Sequence, residues 1–239
     1  MDRQLGLRDW LREGGNGDAP QAAAASDPFA VSEFPHPRPN TVLDIGGSHG
    51  QFALEIFKAF PEATVYSFEP IPECYAELSA LAAARPTLHP MEVALSDHEG
   101  TQELRLSRFR DSSSLQEMLP AHLDAWPHTE IERNITVRLA RLDAVAQGLS
   151  LKPPILAKMD VQGHEMSVIR GGRETLRKCQ RVMTECNFAP LYAGQPSFTE
   201  LYEELRTLGF RFEGFISLLR HPVTLELLSA DAIFYKTAD

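Results

Sequence analysis

An acidic residue followed by a glycine-rich turn gives the first chemical signal in this sequence. Asp44 ends the apolar run TVLDI, and the glycines of LDIGGSHGQ follow it with the spacing DxGxxxG. Glycine lets the backbone pass close to a ligand, and the next helix offers free N–H groups at its N-terminus. A carboxylate before the turn suits a cationic amino-acid group better than a phosphate. An ordinary strand–turn–helix connection is the alternative, so the motif by itself only favours a nucleoside-type ligand.

Glu69, in the segment VYSFEP, strengthens this interpretation. It ends the next apolar run, about 25 residues beyond Asp44, close to the ~20-residue spacing of a ribose-binding acid. A carboxylate at this place can accept hydrogen bonds from both ribose hydroxyls. A solvated loop glutamate is the alternative. Together the two acidic positions predict a nucleoside site more specifically than either does alone.

The segment KMDVQGHE, at 158–165, groups Asp160, His164 and Glu165 at the end of a later strand. Asp160 is a candidate to bind a metal, to orient a sulfonium or to assist a base. His164 has the residue type of a general base, with an ordinary pKa of about 6.5. The alternative is that the segment only shapes a turn, with His164 and Glu165 solvating the first turn of a helix.

A run of serines, DSSSL at 111–115, offers hydroxyl groups near the predicted site. Ser114 is a weaker candidate for a ligand contact. For Ser112 and Ser113 a flexible surface loop is the stronger interpretation.

Strands alternate with helices around these motifs, as the apolar periodicity indicates. Strands are predicted at 41–45, 63–69, 88–95, 153–161 and 180–188, and helices at 50–60, 73–84, 164–178 and 198–208. Added strands are predicted at 100–108 and 134–142, and a closing pair at the sheet edge at 209–216 and 231–236. This alternation predicts an α/β fold with a mostly parallel sheet, whose site lies beyond the carboxyl ends of the strands. The motifs follow strands, as that placement requires.

Composition and charge indicate which classes of partner and which cellular compartment are compatible with the sequence. The 239 residues fit one large domain, and the net charge of −10 argues against nucleic acid as a partner. No apolar run approaches the ~20 residues that span a bilayer, and residues 1–13 lack the apolar core of a signal peptide. Three dispersed cysteines without a CxxC pair predict reduced thiols in a cytoplasmic protein. Residues 1–39 are predicted to be a flexible extension and 40–239 the folded domain.

Taken as a set, the motifs resemble the FkbM-family methyltransferases. LDIGGSHGQ, FEP, VALSDHEGT, SSSL, KMDVQGHEMSVIRGG, MTEC and DAIFYK occur in the order seen in that family, from about Thr41 to Lys236. KMDVQGHE followed by IRGG is specific to the family, whereas many methyltransferases share the glycine turn. The chain has Gly47-Ser48 where the family often has Ala-Asn, which retains a small polar residue.

The resemblance implies a doubly wound, Rossmann-like fold with a seven-stranded sheet. It also implies S-adenosylmethionine (SAM) as cofactor and O-methylation of a sugar, glycoside or polyketide-like hydroxyl. The residues expected to bind SAM are Asp44, Gly46, Gly47, Ser48, His49, Gly50, Gln51, Glu69, Pro70, Ala94, Ser114 and Asp160. Asp160 and His164 are expected to face the transfer site as catalytic residues.

Several alternatives stay open. A metal-dependent O-methyltransferase would need Asp143 or Glu185 to converge on Asp160, but Asp143 suits a helix cap and Glu185 lies late in its strand, so no metal is predicted. An N-methyltransferase and a non-catalytic SAM-binding protein are further alternatives, and the absence of GxGxxG weakens a dehydrogenase. The acceptor and a homo-oligomeric state are left open, because acceptor pockets are built from variable loops.

Overall fold

A seven-stranded sheet lies at the centre of the computed structural model, which describes residues 37–236. The strands are β1 (Thr41–Ile45), β2 (Thr64–Phe68), β3 (Leu88–Met91), β4 (Ala94–Leu95), β5 (Gly100–Ser107), β6 (Ile131–Ala140), β7 (Ile155–Met159), β8 (Arg181–Asn187), β9 (Arg211–Arg220) and β10 (Leu227–Tyr235). The sheet order is β3-β2-β1-β7-β8-β10-β9, and only β10 pairs antiparallel, with β8 and β9. The predicted doubly wound, mostly parallel sheet is therefore confirmed. The predicted extension at 1–39 falls almost entirely outside the described residues and stays a prediction.

Seven α-helices accompany the strands in the described range. They are α1 (Gln51–Ala59), α2 (Pro72–Ala84), α3 (Pro120–Ala125), α4 (Leu142–Val145), α5 (Glu165–Gly171), α6 (Arg173–Leu176) and α7 (Phe198–Thr207). The single helix predicted at 164–178 is wrong, because the chain leaves helical geometry at Gly172 between α5 and α6. A Cβ at Gly172 would lie 2.7 Å from Leu142 Cδ2, so glycine here permits close packing against α4. Among residues 37–236 the structure contains no candidate membrane-spanning helix.

A second, three-stranded sheet carries the added strands in the order β4-β6-β5. The predicted strand at 88–95 is wrong as one element: β3 pairs with β2 in the large sheet, while β4 pairs with β6 in the small one. Val93 N donates to the Met91 carbonyl at 3.0 Å, and this tight turn takes the chain from one sheet to the other. The small sheet consequently lies beside the carboxyl end of β2, where the predicted site is.

The central strands β1 and β7 are buried along their whole length. Such strands are covered on both faces and are expected to be almost entirely apolar. Each carries one charged residue near its carboxyl end, and these two residues, Asp44 and Lys158, lie opposite each other in the register of the parallel pair. Burying a charge is costly unless the charge is paired or hydrogen-bonded. The pair of Asp44 and Lys158 therefore marks the carboxyl ends of β1 and β7 as a candidate site.

Candidate active site

A cavity of about 300 Å³ opens at the carboxyl ends of β1, β2 and β7. Of the residues predicted from sequence, its lining includes Gly46, Gly47, Ser48, Gln51, Glu69, Pro70, Ala94, Ser114, Asp160 and His164. The structure therefore brings together most of the predicted set. Its volume falls at the lower end of the range of small-molecule sites.

Three predicted residues do not line this cavity. Asp44 is fully buried beneath the glycine turn. His49 faces away, with Nδ1 2.9 Å from Glu77 Oε2. Gly50 caps α1 with φ +87, where a Cβ would lie 2.7 Å from Leu81 Cδ1. These three residues shape and support the turn from behind.

Lys158 joins the two aspartates at the floor of the cavity. Its Nζ lies 3.8 Å from Asp44 Oδ1 and 3.6 Å from Asp160 Oδ2, and it donates to the Gly46 carbonyl at 2.9 Å. Burial acts to lower the pKa of Lys158, but the nearby aspartates outweigh it and raise that pKa. Burial raises the pKa of Asp44, against the attraction of Lys158. Lys158 was not among the predicted site residues, although a lysine in the otherwise apolar strand ILAKM was a usable signal.

The glycine turn lies against β7 with no room for side chains. Gly46 has φ +82, and a Cβ on it would lie 1.9 Å from the Asp160 carbonyl oxygen. A Cβ on Gly47 would lie 2.0 Å from Ser67 Oγ. Ser67 Oγ in turn donates to Asp44 Oδ2 at 2.8 Å. Both glycines are required for this close approach of backbone to backbone and side chain.

Glu69 is fixed by two backbone donors. Its Oε2 accepts from Ser48 N and its Oε1 from Ile71 N, each at 2.8 Å. Burial raises the pKa of Glu69 to about 7, although both hydrogen bonds act to lower it. Each carboxylate oxygen has two acceptor sites, so each keeps one for a ligand in the cavity.

The small sheet gives the cavity an apolar wall. The apolar lining residues on this side are Ile71, Val93, Ala94, Leu95, Leu104 and Leu115. Leu104 lies on β5, which was not predicted to line the site, and Leu115 ends the DSSSL segment, of which only the serines were considered as ligand contacts. This wall stands next to Glu69, an arrangement suited to a flat base beside its ribose.

The serine run is a structural part of the site. Ser112 and Ser114 are buried, so the surface-loop interpretation of Ser112 is wrong. Ser114 Oγ donates to the Gln162 carbonyl at 2.6 Å and connects this segment to the KMDVQGHE turn. Asp111 reaches the glycine turn, where its Oδ1 accepts from Ser48 Oγ.

His164 is held on both ring nitrogens. Nδ1 lies 3.0 Å from Gln116 Nε2, and Nε2 lies 3.0 Å from Ser96 Oγ. Because an amide NH₂ only donates, Nδ1 accepts and Nε2–H donates to the serine hydroxyl. Burial lowers the pKa of His164 to about 4. The expectation of an ordinary histidine pKa is therefore wrong, and the lone pair of the neutral ring is already engaged.

The sequence profile described as the methyltransferase FkbM domain matches residues 44–212. The chain belongs to the FkbM methyltransferase family. It is 31% identical over 198 residues to the 2-O-methyltransferase NoeI of Sinorhizobium fredii, which covers 80% of this chain and 81% of that protein. The expected family and the expected methyltransferase activity are thereby confirmed.

Two further comparisons cover less of the other protein. The hexuronic acid methyltransferase AglP of Haloferax volcanii is 24% identical over 147 residues, 61% of this chain and 55% of that protein. The crystal structure of methyltransferase FkbM from Methylobacillus flagellatus KT aligns with a TM-score of 0.53 at 11% identity, over 87% of this chain and 46% of that one. The chain thus spans about half the length of these two proteins, and the solved structure supports the fold alone.

Two further acidic residues of this FkbM methyltransferase, Asp143 and Glu165, accept hydrogen bonds from backbone N–H groups. Asp143 lies within α4 and accepts from Glu174 N at 3.1 Å and Thr175 N at 2.7 Å, so it binds the first turn of α6 instead of capping the helix that follows RL. Glu165 is buried, and its Oε1 accepts from Val161 N and Gly163 N at 3.1 Å each, so it fixes the turn instead of solvating a helix. Within residues 37–236 no group of three His, Cys, Asp or Glu side chains is arranged to hold a metal ion.

Proposed function

We propose that this FkbM methyltransferase transfers the methyl group of SAM to a hydroxyl oxygen of a sugar or related natural product. The observation that carries the proposal is one cavity with Glu69 and an apolar wall at one end and Asp160 at the other. The names of the two curated relatives support the acceptor class, since one is a 2-O-methyltransferase and the other acts on hexuronic acid.

The lining fits SAM along its length. Glu69 would accept from the ribose hydroxyls, and the wall of Val93, Leu104 and Leu115 would cover the adenine. Beneath the glycine turn, Asp44 Oδ1 is buried without a hydrogen-bond partner. Asp160 lines the cavity beside Lys158 and Asp44, and these two acidic residues outnumber the lysine, which suits a cationic ligand group. When bound, SAM supplies an electrophilic methyl group on a sulfonium.

The chain must orient the acceptor and take the proton of its hydroxyl. We assign proton acceptance to Asp160, because its side chain is 33% exposed and each carboxylate oxygen has a second acceptor site beside its contact with Gln162 or Lys158. Gln162 Nε2 donates to Oδ1 at 2.6 Å, and Lys158 lies on the side of Oδ2. His164, with both nitrogens bonded, is assigned to the wall of the site.

Isotope-labelled SAM incubated with panels of glycosides, free sugars, amino sugars and polyketides tests the function. We expect a one-methyl mass gain on a hydroxyl of a sugar-bearing acceptor, with the same rate in the presence of a chelator. Methylation of an amine nitrogen would contradict the proposed acceptor atom. Loss of activity in chelator that magnesium restores would establish the metal-dependent alternative, and SAM binding without turnover on any acceptor would establish a binding protein.

Replacing Glu69 by alanine should weaken SAM binding by about 1.5–3 kcal/mol, the scale of hydrogen bonds to a charged group. The variant removes the ribose acceptor and also leaves Ser48 N and Ile71 N without their carboxylate. Isothermal titration calorimetry with SAM and with its demethylated product measures the effect. Glu73→Gln, which changes an exposed carboxylate bonded to Arg133, is the matched control and should leave the affinity unchanged.

The affinity of the wild-type protein for SAM should also rise from pH 6 to pH 8. Burial raises the pKa of Glu69 to about 7, so the ionised form, which accepts hydrogen bonds more strongly, grows through this range. In Glu69→Gln this rise should disappear, because the amide does not titrate. An unchanged SAM affinity in Glu69→Ala, or the same pH dependence in Glu69→Gln, would remove Glu69 from the site.

A further inference from the structure

The side chain of Gln162 joins two carboxylates at the carboxyl ends of β7 and β8. Its Nε2 donates to Asp160 Oδ1 at 2.6 Å and to Glu185 Oε2 at 3.1 Å. An amide NH₂ carries two donor hydrogens, so both bonds form together. We propose that Gln162 is a positioning residue that holds Asp160 and Glu185 as one pair at the transfer site. The inference rests on the proposed function, in which Asp160 receives the acceptor proton.

A buried chain of hydrogen bonds sets the orientation of the Gln162 amide. The Tyr192 hydroxyl lies 2.7 Å from Gln162 Oε1 and 3.0 Å from His122 Nε2, and His122 Nδ1 lies 3.1 Å from Thr129 Oγ1. Because Oε1 only accepts and is the nearest of the partners of this hydroxyl, the tyrosine hydrogen points to it, while the Thr129 hydroxyl donates to the Trp126 carbonyl at 2.7 Å. The Ser112 carbonyl lies farther from this hydroxyl, at 3.2 Å.

The orientation of the Gln162 amide decides whether its NH₂ group or its oxygen faces Asp160 and Glu185. Tyr192, His122 and Thr129 are buried, and burial lowers the pKa of His122 to about 4, so the ring stays neutral with one donor and one acceptor nitrogen. A flipped Gln162 amide would turn Oε1 towards Asp160 and Glu185 and would lose the bond from Tyr192. The chain therefore keeps the donor side of the amide on the carboxylates.

The backbone of Gln162 is in an unusual conformation for a residue other than glycine. Its φ is +52°, in the left-handed region, and its carbonyl accepts from Ser114 Oγ at 2.6 Å. Such conformations persist where the surroundings over-determine them, and they concentrate at functional sites. The following Gly163 lies against Tyr192, since a Cβ there would be 2.8 Å from Tyr192 Cβ. Gln162 is therefore held at its side chain by Tyr192 and at its backbone carbonyl by Ser114.

The bond from Gln162 stabilises the ionised form of Asp160, which is the form that accepts a proton. In the transfer, the acceptor O–H bond breaks as its oxygen bonds to the methyl carbon. The sulfonium S–C bond breaks with its electron pair going to sulfur, and the proton goes to Asp160. The ionisable groups that face Asp160 are Lys158 of β7, Asp44 of β1, Glu165 of α5, Glu185 of β8, Asp231 of β10 and Tyr192 after β8.

Glu185 contributes to this pair from a crowded acidic environment. It lies opposite Asp231 in the antiparallel register of β8 and β10. Burial, then the charges of Asp160 and Glu165, raise the pKa of Glu185 well above its ordinary value. Gln162 Nε2 is the donor that Asp160 and Glu185 share, so loss of Gln162 removes from Asp160 a hydrogen bond that favours its ionised form.

Two variants test the inference through different atoms. Gln162→Met removes both donor hydrogens at similar side-chain length, and Tyr192→Phe keeps the amide but removes the group that orients it. In Gln162→Met we expect kcat to fall about 10- to 100-fold, because the Asp160 carboxylate loses the contact that orients it for the acceptor hydroxyl. The ascending limb of the profile of kcat/KM against pH should move to higher pH, with SAM affinity within about twofold of wild type. Tyr192→Phe should shift both quantities in the same direction by less.

Matched controls separate positioning from general destabilisation. Gln180→Met removes the acceptor of Ile155 N at 2.7 Å, and Tyr66→Phe removes the hydroxyl near the Ser150 backbone. Both controls should lower the melting temperature without moving the pH profile. If Gln162→Met and Tyr192→Phe behave like these controls, the inference is overturned.

A measurement that needs no turnover keeps the test independent of the proposed function. In protein labelled with ¹³C at aspartate carboxyls, an NMR titration follows Asp160, assigned by its loss in Asp160→Asn. The pKa of Asp160 should be higher in Gln162→Met than in wild type, and an unchanged value would refute the positioning role. If instead the wild type methylates nitrogen or nothing, the proposed function fails while the titration still decides the role of Gln162.

Discussion

Replacing Asp160 by asparagine should lower the single-turnover rate of methylation by about 10²–10⁴-fold, the usual contribution of a general base. Asparagine keeps the size of the side chain and an oxygen that can accept from Gln162, but it does not take up a proton. SAM affinity is expected to fall as well, because Asp160 contributes one of the acidic groups that suit the cationic part of SAM, so the rates are compared at saturating SAM. The measurement is rapid-mixing methylation of the identified acceptor with saturating SAM, across pH.

The matched variant is His164→Gln, at the other position that the sequence predicted to be catalytic. Both nitrogens of His164 are bonded, to Gln116 and Ser96, and burial lowers its pKa to about 4. We therefore expect its loss to reduce the rate less than about tenfold, below the range of base catalysis. If His164→Gln is the slower enzyme and Asp160→Asn retains most of the activity, the assignment of the proton acceptor is reversed.

Local sequence patterns were sufficient for the main sheet and for the place of the site. The apolar runs at β1, β2 and β7 predicted the strands, and the rule that ligands bind beyond their carboxyl ends placed the DxGxxxG turn, Glu69 and Asp160 together. The lining of the cavity agrees with that placement. These inferences succeed because they depend on residues adjacent in sequence and on the handedness of parallel connections.

The environment of each side chain could not be predicted in the same way. Gln116 and Ser96, which engage His164, are 48 and 68 residues distant from it in sequence. Tyr192 meets Gln162 across 30 residues, and Ser114 meets it across 48. No local periodicity encodes such contacts, so a histidine with an ordinary pKa and a solvated serine loop were reasonable expectations that tertiary packing overturned.

The split of the predicted strand at 88–95 has a similar origin. Each half is apolar enough to be a strand, and the pattern does not distinguish one sheet from two. The choice is made by β6, which provides a parallel partner for Ala94 and Leu95 from more than forty positions away. This partner builds the small sheet, and with it the apolar wall that Leu104 and Leu115 add to the cavity.

Replacing Gly46 by alanine should destabilise the fold by about 2–5 kcal/mol and remove measurable SAM binding. A positive φ costs a non-glycine residue about 1–2 kcal/mol, and overpacking adds about 1–3 kcal/mol. Gly46 has φ +82, and its added Cβ would lie 1.9 Å from the Asp160 carbonyl oxygen. Because that oxygen belongs to the backbone after β7, no rotamer change relieves the contact, and β1 and β7 must separate at the floor of the cavity.

The control for this prediction is Gly209→Ala, which isolates the cost of the backbone conformation. Gly209 has φ +89, and the nearest atom to an added Cβ is Lys236 Cε at 3.7 Å, an ordinary contact. Thermal and urea unfolding should therefore show a loss of about 1–2 kcal/mol for Gly209→Ala, with SAM still raising its melting temperature by mass action. Gly46→Ala should lose more stability and show no such rise. Equal losses in the two variants, with SAM stabilisation intact in both, would mean that the turn does not need glycine for its contact with Asp160.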